Sequence, residues 1–149
     1  MLKLFLYVFL WMGWGNQVKW ETDMATAKKL AAEQHKMILL NFSGSDWCAP
    51  CIQMRREILN HPDFIAWANN HAILVNADFP RDKKNQLSKS QQELNNKLAD
   101  QYNANGTFPL TLLLNHDGTV IKLWEGNPKK SAAAFIQELN PLIKSSQQN

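Results

Sequence analysis

Trp47-Cys48-Ala49-Pro50-Cys51 lies between an apolar run, residues 37–42 (MILLNF), and a segment with Ile52, Arg55 and Leu59 at helical spacings. The run is short, apolar and flanked by polar residues, which predicts a buried strand. Residues 43–47 read as a loop, and the helix opens at the cysteines and continues through Ile58. The first turn of a helix has unpaired N–H groups and the positive end of the dipole. A thiolate at Cys48 is stabilised there and its pKa falls. Pro50 suits this position because its missing N–H would have had no partner. Cys51, one turn on, is within reach of Cys48 for a disulfide and is expected to be the more buried of the two. Trp47 is expected to shield the sulfurs on one side. The chain has no other cysteine. Two thiols cannot close a structural zinc site, which takes four ligands, and at this spacing they cannot staple distant segments. An inert surface disulfide and half of a metal site are the competing readings. A strand before, a helix after and the Trp-x-x-Pro packing favour a redox dithiol.

Working outward, Asp23 can cap a helix to about His35, with Ala27, Leu30 and Ala31 on one side. His61-Pro62-Asp63 breaks the cysteine helix, and residues 64–70 form a further short helix. Residues 72–79 (AILVNADF) read as a second buried strand. Residues 81–90 are polar and basic, and residues 91–102 are helical, Leu87, Leu94, Leu98 and Tyr102 marking a narrow apolar stripe. Residues 108–114 (FPLTLLL) form a third strand, followed by an Asp117-Gly118 turn and an antiparallel fourth strand over residues 119–124. A last helix starts at Pro128 and runs to about Lys144, with Phe135, Ile136, Leu139 and Leu142 inward, leaving a frayed tail. The order α-β-α-β-α-β-β-α implies a mixed sheet with helices on both faces.

The chain has 149 residues, consistent with one domain, and 45% hydrophobic against 19% charged residues, which argues against disorder. A net charge of +3 without a basic stripe argues against nucleic acid as a partner. Residues 4–12 (LFLYVFLWM) are uncharged and apolar. A bilayer span needs about 20 such residues, so the run fits the apolar part of a secretory signal better than a membrane helix. Residues 1–15 are therefore expected to be a signal, cleaved before Asn16, or a membrane anchor, and residues 16–149 the folded domain. Export permits disulfide chemistry. The four histidines are scattered without a His-x-x-x-His pair, so no metal is expected, and no cofactor motif is present.

The motif WCAPC resembles the WCGPC of the thioredoxin superfamily, differing only at Ala49, and Thr107-Phe108-Pro109 resembles the family's second signature. The resemblance covers about residues 20–144. It implies an α/β thioredoxin fold, with a central mixed four- to five-stranded sheet flanked by helices. It also implies a cis peptide at Pro109, set against the sulfurs, with the Phe108 backbone facing an incoming client strand. More narrowly, FSGSDWCAPCIQMRREIL and DFPR resemble exported bacterial thioredoxin-like proteins and the C-terminal domain of the transmembrane thiol:disulfide interchange protein. By this resemblance Cys48 and Cys51 are the catalytic pair, and Trp47, Ala49, Pro50, Phe108 and Pro109 form the client-binding surface. The implied partners are client proteins carrying disulfides and a membrane or soluble thiol reductase as electron donor. The implied compartment is the periplasm or another exported location.

The chain also departs from the family pattern. Asn41 stands where thioredoxins carry a buried aspartate that relays a proton to the second cysteine, and an amide cannot accept a proton in that way. Asp46 and Glu57 are the nearest carboxylates, neither expected beneath the sulfurs. Ile52 replaces a common lysine, while Arg55 and Arg56 read as solvated helix charges. The segment over residues 80–101 is longer than in plain thioredoxin and reads as a solvated spacer. A redox-weak binding or holding module is the alternative function, and Asn41 favours it. A peroxidase lacks the expected single-cysteine context.

Overall fold

The computed structural model describes residues 17–146. The signal or anchor reading of residues 1–15 lies outside them, as does the expectation of fraying for residues 147–149, while α5 continues to Ser146. The elements are β1 (Trp20–Glu21), α1 (Met24–Gln34), β2 (Met37–Ser43), α2 (Ala49–Met54), α3 (Pro62–His71), β3 (Ala72–Asp78), α4 (Lys89–Tyr102), β4 (Leu110–Leu114), β5 (Val120–Glu125) and α5 (Ala132–Ser146). A π turn, Arg55–Leu59, extends α2. The strands form one sheet in the order β1-β3-β2-β4-β5. β1, β3 and β2 are parallel, and β4 and β5 are added antiparallel.

All residues of β2 are buried, because helices cover both faces of the sheet. Strand side chains alternate between faces, so β2 feeds two cores. Met37 and Leu39 meet Met54, Ile58, Phe64 and Phe135 from α2, α3 and α5. Ile38, Leu40 and Phe42 meet Ala27, Ala31 and Leu98 from α1 and α4. Asp23 caps α1 by accepting from the N–H groups of Ala25 and Thr26.

Several boundaries differ from the sequence reading for identifiable reasons. The two-residue β1 carries no periodic signal and exists by pairing with Leu74 and Val75 of β3. The cysteine helix ends before His61 as expected, but α3 starts at Pro62 rather than Phe64, since the His61 side chain accepts from the Asp63 N–H at the helix start. β4 begins at Leu110, not Phe108, because the Phe108–Pro109 peptide is cis. α5 starts at Ala132 rather than Pro128. Lys129 takes a positive φ of 50°, and the Ser131 hydroxyl accepts from the Ala134 N–H at the helix start. Asn95, not Leu94, is the buried partner of Leu98 in α4. Its side-chain amide donates to the Asp78 carbonyl at 2.8 Å, turning Leu94 outward.

Leu39→Ala, at a fully buried position of the central strand, is expected to lower unfolding free energy by about 3 kcal/mol. Leu94→Ala on the exposed face of α4 should change it by less than about 0.5 kcal/mol. Urea denaturation of the two variants measures the difference.

Candidate active site

β2 ends at Ser43, and after the four residues 44–47 the chain enters α2 with Cys48 as the N-cap, in extended conformation (φ −90°, ψ 95°). The Cys48 N–H donates to the Gly44 carbonyl at 2.9 Å, closing the loop. Gly44 is required by close approach: a Cβ there would lie 2.3 Å from the Trp47 ring. Cys48 and Cys51 are joined by a disulfide, with Cα atoms 5.2 Å apart. Both cysteines are 4% exposed. The expectation that Cys51 is the more buried is therefore corrected, since in the bonded pair each sulfur covers the other. Ala49 and Pro50 are exposed beside them.

Trp47 and Phe108, distant in sequence, meet edge to face with ring centroids 5.4 Å apart, and Phe79 packs on Phe108 at 5.5 Å. The Trp47 indole N–H donates to the Phe79 carbonyl at 2.7 Å. Pro109 is buried, and its carbonyl accepts from the Gly126 N–H. Asn103 fixes the approach to it: its side chain donates to the Thr107 carbonyl and accepts from the Thr107 N–H. Sequence reasoning missed Asn103, whose only signal is its place after a helix and before Gly106.

The segment after β3 is not a free spacer at its start. Asp46 accepts from the N–H groups of Arg81 and Asp82 and from the Asn85 amide, at 2.9–3.0 Å. The Arg81 N–H bond is the main cause, with Asn85 second, that holds the Asp46 carboxyl below its ordinary pKa. The Arg81 guanidinium lies 3.6 Å from the centroid of the Trp47 ring. This segment therefore forms one wall beside the motif.

On the Cys51 side, a cavity of about 220 Å³ is lined by Ser43, Ser45, Cys51, Ile52, Arg55 and Arg56. Arg56 is a solvated charge paired with Glu57. Arg55 is not solvated in that sense: it is half-buried, with its guanidinium 4.9 Å from the centroid of the Trp20 ring. Burial lowers its pKa, against the field of Asp78, but an arginine stays charged. Asp78 in turn accepts from the N–H and hydroxyl of Ser45.

Asn41 is buried at 3% exposure, and its Oδ1 has no hydrogen-bond partner. It pairs in register with Asn76 of β3 and Thr111 of β4, forming a polar row across the sheet. The Thr111 hydroxyl reaches Met54 Sδ of α2 at 3.9 Å. Asp46 and Glu57 are engaged at the surface by other groups, so neither serves as a buried carboxylate. Among the described residues no group of three or more His, Cys, Asp or Glu could hold a metal ion.

Residues 24–142 match the family model for the Thioredoxin-like domain. Over 127 residues the chain is 32% identical to the Disulfide bond reductase DsbH of Chlamydia pneumoniae, covering 85% of this chain and 74% of that protein. It is 28% identical over 102 residues to the Thioredoxin-related protein DsbJ of the same organism, covering 68% of this chain but only 28% of that protein. A solved DsbH oxidoreductase structure superposes with a TM-score of 0.76 at 32% identity, covering 86% of this chain and 85% of the other. A thioredoxin from Thermus thermophilus shares the fold at a TM-score of 0.61 and 18% identity, covering 84% of this chain and 86% of that one.

The Asp46 attachment has a defined pH dependence. Its folded pKa is lowered, so its contribution is complete above the ordinary carboxylate value of about 3.9. The contribution is lost as pH falls through the lowered folded value. Asp46→Asn should leave the 81–85 segment more open to limited proteolysis at neutral pH. The difference from the parent should vanish in strong acid.

Proposed function

The chain belongs to the thioredoxin-like family and is a thiol:disulfide oxidoreductase, and from that premise we propose that Cys48 is its attacking thiol and Cys51 its resolving thiol. The observation that carries the assignment is the Cys48–Cys51 disulfide, with Cys48 as the N-cap of α2. At that position the unpaired N–H groups of the first helical turn stabilise negative charge on sulfur.

In the reductive direction the Cys48 thiolate attacks one sulfur of a client disulfide. The Cys48–client bond forms as the client S–S bond breaks, and the departing client thiolate takes a proton from solvent. Cys51 then loses its proton and attacks Cys48 Sγ. The Cys48–Cys51 disulfide forms, the mixed disulfide breaks, and the second client thiolate leaves. The client gains two electrons, and a donor dithiol restores the enzyme. Likeness to a protein named a disulfide bond reductase supports the reductive direction.

Trp47, Ala49, Pro50, Phe108 and Pro109 form the client surface in this reading. The exposure of Ala49 and Pro50 and the meeting of Trp47 with Phe108 support it. The client would align its backbone along the residues before β4 as an added strand. The electron donor is a thiol reductase, membrane-bound or soluble. The exported location and the division into residues 1–15 as signal or anchor and 16–149 as catalytic domain rest on the apolar run at residues 4–12. Among the described residues no helix is long and apolar enough to cross a membrane. A binding or holding role is the second reading, favoured by Asn41 in place of a proton-accepting carboxylate.

Purified protein with dithiothreitol is expected to accelerate insulin reduction, and Cys48→Ser to abolish the acceleration. No rate above the dithiothreitol background in the native protein overturns the catalytic reading and leaves the binding one. Cys51→Ala should accumulate client proteins in disulfide linkage through Cys48. Amino-terminal sequencing of exported protein should begin at Asn16, whereas an intact terminus in the membrane fraction identifies an anchor.

A further inference from the structure

The resolving step requires Cys51 to lose a proton, and among the described residues no buried carboxylate beneath α2 stands ready to take it. Asn41 cannot take one, Asp46 and Glu57 are held at the surface, and the polar row beneath α2 consists of amides and a hydroxyl. The cavity at Cys51 offers a different solution. It brings half-buried Arg55 and Ser43 around the same space as the cysteine. Ser43 is only 4% exposed.

Resting on the thiol–disulfide reading above, we propose that Arg55 is a positioning residue for the resolving step: its cation holds Cys51 in the thiolate form, and the proton leaves to solvent through the cavity. The step balances without an internal base. Cys51 S–H gives its proton to water in the cavity, the thiolate is stabilised by Arg55 and by a hydrogen bond donated from Ser43, and its electron pair then attacks Cys48 Sγ.

Three features make the cation effective. Arg55 is the C-cap of α2, one turn after Cys51 with its N–H donating to the Cys51 carbonyl, and the π turn starts there; π turns inside helices often mark functional sites. Stacking on Trp20 fixes the guanidinium without neutralising it. Partial burial reduces the solvent screening that weakens exposed charges. Arg56 lacks these features, being exposed and paired with Glu57.

Charged groups on the neighbouring elements do not replace Arg55. Asp78 of β3 opposes it, but its carboxylate is engaged by Ser45. Glu21 of β1 is paired with Lys19. Asp46 in the preceding loop is turned to the 81–85 segment.

The test uses the full chain in two backgrounds. With Cys48→Ser, ultraviolet thiolate absorbance titrates Cys51 alone. Arg55→Gln is expected to raise the midpoint by about one pH unit, Arg55→Lys to restore it, and Arg56→Gln to leave it in place. With both cysteines present, Cys48 is loaded with a chromogenic aromatic thiol, and its release by Cys51 is followed against pH. Less thiolate, partly offset by the greater nucleophilicity of a more basic thiol, slows release in Arg55→Gln about threefold at neutral pH. Above both midpoints the same variant should be the faster, a crossing that loss of packing alone does not produce. If Arg55→Gln does not fold, Asp78→Asn supplies the opposite sign, a lower Cys51 midpoint. An unchanged midpoint in folded Arg55→Gln, or in Asp78→Asn, overturns the proposal. So does an equal shift in Arg56→Gln. Active insulin reduction with an unmoved Cys51 titration defeats this inference alone, whereas absence of reduction by the native protein defeats the reading beneath it.

Discussion

The burial of β2 on both faces is the constraint from which the site follows. A strand with no exposed residue cannot shift register without moving core side chains to the wrong layer. Met37 and Leu39 are committed to one layer, and Ile38, Leu40 and Phe42 to the other. The end of β2 is thus fixed, and with it the short loop that delivers Cys48 to the start of α2. The helix is held from below by Met54, Ile58 and Leu59 in the first of those layers. The cysteines need little local rigidity of their own, because strand and helix are both anchored by core packing.

Within that frame the polar row Asn76–Asn41–Thr111 is a departure from an apolar interior. A buried acceptor without a partner costs roughly 1–3 kcal/mol, and both Asn41 and Asn76 carry one. These residues keep the interior beneath α2 polar without placing charge there. Charge enters from the side instead, through Arg55 on its Trp20 support. The surroundings of the motif differ accordingly: Trp47 meets Phe108 at its aromatic side, and the cavity with Arg55 and Arg56 lies at Cys51.

Much of this was legible in the sequence because it depends on local signals. The strand–loop–helix around the cysteines, the Asp23 cap and the Asp117-Gly118 hairpin are each encoded by near neighbours. Asn41 could be placed only through the family resemblance, by aligning Phe42 on the strand phenylalanine with one extra residue in the 43–46 loop. Features that depend on distant partners could not be read. β1 exists only beside β3, Asn95 is buried only because the Asp78 carbonyl needs a donor, and Arg55 looked like any helix arginine until Trp20 was set against it. The 81–85 segment looked solvated because its basic composition conceals bonds that Asp46 makes mainly to backbone N–H groups. Pro128 misplaced the last helix because proline suits a helix start in general, while Ser131 provides the actual cap.

The Asn103 side chain mimics a strand partner for Thr107, giving and receiving one hydrogen bond each with its backbone. This sets the number of residues between α4 and Pro109 as firmly as a ladder sets register. Insertions or deletions between Asn103 and Thr107 are therefore poorly tolerated although most of that stretch is exposed. The Gln86–Ser88 connection is tied as well, since the Gln86 amide donates to the Pro80 and Asp82 carbonyls and the Ser88 hydroxyl caps α4 by accepting from the Gln91 N–H. Differences in length among related chains should accordingly spare the approach to Pro109.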